Sequence, residues 1–208
     1  MSTTLKAPTV RGTARVRLLD AAVEVIRTKG LNATTVDDLC AAAGVTKGAF
    51  FHHFATKEAL AIAAAEHWSE TTGALFAAAS YHDGPDAIDR ILGYLDLRAH
   101  LISGAPAEYT CLVGTMAQEA FETSPDVRAA CAASIFGHAA TLEADFAEAL
   151  AARNVVAEIT AASLARYTQT VLQGAFVLSK AANDPAIVID SIDHLRRYLQ
   201  VLFQAQGD

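Results

Sequence analysis

The stretch from Thr34 to Leu60, TTVDDLCAAAGVTKGAFFHHFATKEAL, constrains the fold of this chain more than any other. It reads as two short helices joined by a tight turn and followed by the start of a longer one. Thr35 is placed to cap the first helix, with Asp37 and Asp38 in the first turn, where the positive end of the helix dipole favours carboxylates. Val36, Leu39, Cys40 and Ala43 form one apolar stripe at helical spacing. Gly44 is free to take positive φ and so to end that helix. Thr46 is placed to cap the second helix, turning Ala49, Phe50 and Phe54 inward and Lys47, Gly48, His52 and His53 outward. Thr56 caps the third, with Lys57 at its mouth. Small residues at Ala41 to Ala43 allow the close helix crossing that a helix-turn-helix requires, and the second helix would then enter a major groove.

Thr35, Val36, Ala43, Gly44, Val45, Lys47, Gly48, His53, Phe54, Lys57 and Leu60 stand in one fixed register that resembles the TetR/AcrR family of bacterial transcriptional regulators. The motif covers about a quarter of the chain, and the remainder matches only in helical layout. The resemblance implies a homodimeric DNA-binding regulator with a helical effector domain, acting as a repressor. One departure stands out: the family usually carries Tyr where this chain has Phe51, so a phosphate-donating hydroxyl is missing.

The net charge of −7 argues at first against nucleic acid, but it is unevenly spread. Residues 1–57 hold 8 Lys and Arg against 4 Asp and Glu, whereas residues 58–208 hold 8 against 19. A basic head on an acidic body is the asymmetry expected if only the head meets phosphates. Arg11 in the arm, and Arg15 and Arg17 in the first helix, join Thr35, Thr46, Lys47, Gly48, His52 and Lys57 as the DNA-facing set. Gly48 would let the backbone approach a groove closely, and Thr46 has a hydroxyl to offer a phosphate. His52 and His53, adjacent on a helix, diverge by about 100° and make no metal pair.

Abundant Ala, few strand-favouring runs, and Pro and Gly confined to the gaps between periodic segments predict an all-α fold of about nine helices. The division expected is residues 1–55 for DNA binding, with an N-terminal arm, and residues 56–208 for effector binding and dimerisation. Apolar runs are too short to span a membrane, and the N-terminus shows no secretory signal. Three cysteines without metal-like spacing suit a reduced cytosol, so a cytoplasmic protein is expected. Neither cofactor nor metal is called for.

The periodicity predicts helices over Thr13 to Lys29, Lys57 to about Ser80, Asp86 to Ile102, about Ala107 to Phe121, Ser124 to about Arg153, Thr160 to Ala181, and Ala186 to Phe203. The Asn154 region is the loosely patterned joint. Trp68, Tyr94, His100, Tyr109, Cys111, Met116, Phe121, His138 and Tyr167 are candidates to line a mostly apolar effector pocket. Each also suits an ordinary helical core; His100 and Tyr109 are favoured because a polar tip inside a bundle needs a partner. The last two helices are apolar over more than one face. By resemblance they pair with their copies in a four-helix bundle, through Tyr167, Gly174, Leu178, Ile192, Leu195, Leu199 and Leu202.

The patterns of an enzyme on a helical bundle are missing: there is no HExxH, GxSxG, phosphate-cradling glycine loop, Glu-x-x-His pair or paired CxxC. Two alternatives remain beside the small-molecule-responsive regulator. One is a thiol-based electrophile sensor acting through Cys111, and the other is a helical protein that has lost DNA binding.

Overall fold

A computed structural model describes residues 12–153 and 158–204. Arg11, the rest of the N-terminal arm and the Asn154 joint lie outside the described residues. Among the described residues the chain is all-α, with eleven α-helices and one short 3-10 turn and no strand. By packing these fall into two compact units. The first holds the described residues up to Ala74 with Thr110–Ile135, and the second holds Leu75–Tyr109 with the described residues from Phe136 onward.

In the first unit, α1 (Ala14–Lys29) is capped by Thr13, whose hydroxyl accepts from Val16 N–H, and ends at Gly30 with Arg27 and Lys29 in its last turn. The chain needs a glycine there for two reasons. Gly30 has φ +87°, and a Cβ would stand 2.1 Å from the Glu119 carboxylate. That carboxylate accepts the Asn32 backbone N–H at 2.7 Å, which ties the turn after α1 to a helix far along the chain. α2 (Val36–Ala43) starts in a capping box: Thr35 Oγ1 accepts from Asp38 N–H, and the Asp38 carboxylate accepts from Thr35 N–H. It ends at Gly44 in the left-handed region, φ 61° and ψ 42°. α3 (Lys47–His53) is capped by Thr46, and α4 (Lys57–Ala77) has Ala59 N–H donating to Thr56 Oγ1.

Leu18, Leu19, Ile26, Leu39, Phe50 and Leu60 meet in one buried cluster that also takes in Met116, Val127 and Cys131. The last three come from α7 (Leu112–Ala120) and α8 (Pro125–Ala140). The sequence places a functional boundary between residues 55 and 56 on the strength of its motif. Packing runs differently, because α7 lies on α1 and shares its core.

The second unit packs α5 (Ala87–His100) against α9 (Glu143–Ala152) and α11 (Ala186–Gln204), with α10 (Ala161–Ala182) against α9 and α11. Arg90 of α5 donates to Asp145 at 2.7 Å and to Glu148 at 2.6 Å, joining α5 to α9. The short α6 (Pro106–Tyr109) is held to α10 by the Tyr109 hydroxyl and Ser179 Oγ, 2.5 Å apart. Thr160 caps α10, and Asn183 closes it in the left-handed conformation.

Among the described residues eleven helices stand where the sequence pattern suggests about nine, because two expected helices are split. Cys111 ends the segment after α6 by taking extended backbone and capping α7 through its sulfur. Between α8 and α9 the Thr141 and Leu142 N–H groups bond back three residues, to His138 and Ala139, and tighten the last turn. The expected helix to Ser80 stops at Ala77, and Ser80–Asp83 forms the 3-10 turn instead. Asp86 proves to be the cap of α5, accepting from Asp89 N–H, and not its first residue.

Candidate nucleic-acid interface

α3 lies with one side in the core and the other bare. Phe50 is fully buried, while Thr46, Lys47, Gly48, Phe51 and His52 are exposed and His53 is half-buried. Gly48 has ordinary negative φ, and a Cβ there would meet only Thr46 Oγ1, at 3.7 Å. The chain's own packing therefore does not demand a glycine.

Lys47 holds Asp37 of α2 at 2.8 Å in an exposed pair, and that hydrogen bond raises the lysine's pKa. Arg17 Nη1 donates to the Gly44 carbonyl at 3.3 Å, and the Arg15 guanidinium stands 5.5 Å from the Phe54 ring centroid. Both arginines are exposed, Arg17 beside the turn between α2 and α3 and Arg15 beside the C-terminal end of α3. Thr35 is occupied locally, since its hydroxyl lies 2.6 Å from Asp38 Oδ2. Asp38 also takes Lys29 at 2.6 Å. The Lys29 ammonium first, then the Thr35 hydroxyl and amide, hold that carboxyl far below the usual carboxylate range.

Lys57 is the DNA-facing candidate that the structure recasts. Its ammonium is turned to the backbone carbonyls of Leu31 and Thr34, each at 2.9 Å, and of Asn32 at 3.5 Å. Those carbonyls belong to the turn that delivers the chain into α2. A lysine so engaged acts on the helix-turn-helix by bracing that turn. The pattern of residues hides this, because a lysine at a helix mouth looks the same whether it meets a phosphate or a carbonyl.

The candidate effector residues divide between the units. Of the first unit, Met116 is buried in the core, Trp68 packs against that core under the Arg27 guanidinium, and Cys111 is the half-buried cap of α7. Phe121 is 58% exposed. Cys40 and Cys131 are buried, and burial pushes the Cys131 thiol up to about 12. Of the second unit, His100 is exposed at the end of α5, so its ring is not the interior polar tip that the sequence suggests. The helix stops sooner than its apolar pattern does. Tyr94 and His138 do come together. Tyr94 OH lies 3.0 Å from His138 Nε2, and Arg98 donates from Nε to Tyr94 OH at 2.7 Å and from Nη2 to His138 Nε2 at 2.8 Å. Gln169 Nε2 reaches the same hydroxyl at 3.2 Å, and Phe76 lies under the guanidinium, 4.3 Å from its carbon. Burial first, and the Arg98 charge second, push the His138 imidazole down to about 3. Arg98 and Gln169 complete the cluster, and neither stands out from its residue type in the sequence.

Residues 18–64 match the family described as "Bacterial regulatory proteins, tetR family", and residues 87–193 match "Transcriptional regulator LmrA/YxaF-like, C-terminal domain". The chain belongs to the TetR family. It is therefore a DNA-binding transcriptional regulator and not an enzyme. A TetR-family regulator from Agrobacterium tumefaciens superposes with a TM-score of 0.77 at 19% identity, over 89% of this chain and 96% of that one. A cysteine mutant of the TetR-family regulator CifR, complexed with 26-bp double-strand operator DNA, gives 0.74 at 20% identity, over 90% and 97%. The HTH-type transcriptional repressor KstR2 of Rhodococcus jostii (strain RHA1) is 46% identical over 46 residues, 22% of this chain and 22% of its own length. Such matches span 18–22% of the curated relatives' length. Among the described residues no helix is long and apolar enough to cross a membrane, and no His, Cys, Asp and Glu group is arranged to hold a metal.

The residues assigned to a TetR-type pairing face separate into two sets. Tyr167, Gly174 and Leu178 are exposed on α10, and Leu202 is half-buried on α11. Ile192, Leu195 and Leu199 are at most 2% exposed, packed inside their own unit, and so are core residues with no surface to offer a partner. α11 turns Tyr198 and Val201 outward instead, and α10 adds Val177. The Tyr167 and Tyr198 rings meet edge to face, which joins the two helices' exposed sides into one strip.

Proposed function

We propose that this regulator is a cytoplasmic homodimeric repressor, which binds a two-fold operator through residues 1–55 and is released by a small molecule held in residues 56–208. The observation that carries the DNA-binding side is the bare face of α3, where Thr46, Lys47, Gly48 and His52 are exposed beside Arg15 and Arg17. A cap hydroxyl, two arginines and a glycine that needs no space of its own suit close approach to a phosphate backbone. Phe51, 56% exposed on the same face, would offer apolar contact to a thymine methyl in place of a donor to phosphate. Repression is supported by the name of the KstR2 repressor, which the helix-turn-helix region resembles.

The strip formed by Tyr167, Val177, Leu178, Tyr198 and Val201 supports pairing of two copies. Exposed apolar side chains gathered on adjacent helices mark an interaction surface. A two-fold dimer would set two α3 helices about one DNA turn, roughly 34 Å, apart. The aromatic and polar cluster around Tyr94 and His138 supports a ligand compartment in the second unit. Effector release would be a population shift, requiring a ligand that favours the conformer unable to bind DNA.

Footprinting with DNA from upstream of the protein's own gene tests this reading. It predicts one protected, inverted-repeat site occupied by two protomers. Protection without two-fold symmetry, or occupancy by one protomer, would count against it.

A further inference from the structure

The exposed side of α10 carries no charge along Tyr167, Thr170, Gly174, Leu178 and Ala181, so nothing on that line fixes where a second helix would come to rest. α11 differs. Asp190, His194, Arg197 and Val201 recur at helical spacing on one exposed line, with Ala186 at its head. The line is continuous side chain to side chain: His194 Nε2 lies 3.7 Å from Asp190 Oδ2, and His194 Nδ1 lies 3.5 Å from Arg197 Nη1. Uncovered apolar surface accompanies it. Val201 is 65% exposed and Tyr198 40%, and the Tyr198 ring meets Tyr167 of α10.

From Ala186 to Val201 the line runs apolar, negative, imidazole, positive, apolar. Turned end for end, it offers the opposite charge at both charged places and an apolar side chain at both ends. Such a line complements itself when two copies run antiparallel. Reversal about the point midway between Asp193 and His194 sets position 190 against 197 and position 186 against 201. Asp190 and Arg197 stand roughly 10 Å apart along the helix, so both ion pairs form at once. Parallel copies would instead set carboxylate on carboxylate and guanidinium on guanidinium. A different protein with a patch of one sign would meet a like charge at one of the two places. A two-fold interface needs this reciprocity, in which one residue meets a second and the second meets the first.

We propose that α11 sets the register of the homodimer. It packs antiparallel on its copy, with Arg197 on the partner's Asp190, Asp190 on the partner's Arg197, and Val201 on the partner's Ala186. The apolar strip holds the two copies together, and the order of charges fixes how they meet. This register rests on the homodimer reading above. It adds the orientation of the two copies and the residue pairs that favour a second copy of this chain over another protein.

Charge exchanges in the full chain, read by sedimentation equilibrium, test it. Asp190→Arg sets like charges together at both places and should weaken the homodimer tenfold or more at physiological salt, with a smaller effect in high salt. Arg197→Asp should do the same. The double exchange, Asp190→Arg with Arg197→Asp, restores opposite charges and should dimerise within threefold of wild type. The two single variants, mixed, should form a mixed dimer tighter than either forms with itself. Every variant should keep the wild-type circular dichroism, since both positions are exposed. Unchanged dimerisation by either single exchange would overturn the proposal, and so would a double exchange as weak as the singles. Leu178→Asp separates this register from the reading beneath it. A dimer that Leu178→Asp breaks but the charge exchanges leave intact would keep the homodimer and sink the register. A wild type that stays monomeric at micromolar concentration would sink both.

Discussion

Replacing Lys57 with Met should destabilise the helix-turn-helix without changing how its DNA affinity responds to salt. The ammonium makes two contacts of 2.9 Å and one of 3.5 Å to the carbonyls of Leu31, Thr34 and Asn32. A buried hydrogen bond to a charged group contributes about 1.5–3 kcal/mol. Lys57 is only half-buried, and water can take back part of what the carbonyls lose, so a net cost of about 1–2 kcal/mol is reasonable for the set. At about 2–4 °C per kcal/mol for a chain of this size, the melting temperature should fall by about 2–8 °C. Operator affinity should drop with it, because the turn leading into α2 loses its brace. The slope of log affinity against log salt should stay at the wild-type value, since no phosphate contact is removed. Lys47→Met is the contrast: with Lys47 exposed, the melt should hardly move. The slope should flatten by about 0.9 per lost phosphate contact, or about 1.8 for a dimer. A Lys57→Met protein that melts like wild type but shows the flattened slope would refute the bracing role and return Lys57 to the phosphate contacts.

Leu178→Asp, on the exposed strip, should yield folded monomers at micromolar concentration by light scattering. Leu199→Ala, 1% exposed, should keep the dimer but lose about 2–5 kcal/mol of stability in urea melts. His138, held near 3, binds a proton in the unfolded chain below about 6.5 and in the folded one only near 3, so it removes stability as pH falls through that window. Wild type should therefore lose up to about 1.4 kcal/mol per pH unit between pH 6 and 4 more than His138→Gln does, by urea melts at each pH. A thiol reagent added to the native protein should modify Cys111 well before Cys40 and Cys131, as mass spectrometry of the peptides would show, because only Cys111 is not buried.

The helix-turn-helix was legible almost residue by residue because its ends are chemical. Thr35, Thr46 and Thr56 cap where hydroxyls are expected to cap, and Gly44 takes the left-handed turn that its lack of a Cβ permits. Interior breaks were less legible. Nothing in the pattern of Tyr109 to Leu112 says that a sulfur will cap a new helix, or that two N–H groups will bond three back after His138. The last two helices show a different limit. A period of 3.6 tells which residues share a face, but not whether that face meets the chain's own core or a second copy. Ile192, Leu195 and Leu199 form the strongest stripe and cover the core, while Leu178 and Val201 on weaker stripes remain bare. The cluster around Tyr94 was half legible. Its aromatic and imidazole members stood out by type, whereas Arg98 among many surface charges did not.

The most direct measurement is a fluorescence-anisotropy titration of the full chain against DNA from upstream of its own gene, with random duplex as control, at two salt concentrations. Salt-sensitive binding to the upstream DNA, about a thousandfold tighter than to the control and with two protomers per site, is the expected result. Equal, weak binding to both duplexes would contradict it, and would turn attention to Phe51 on the bare face of α3.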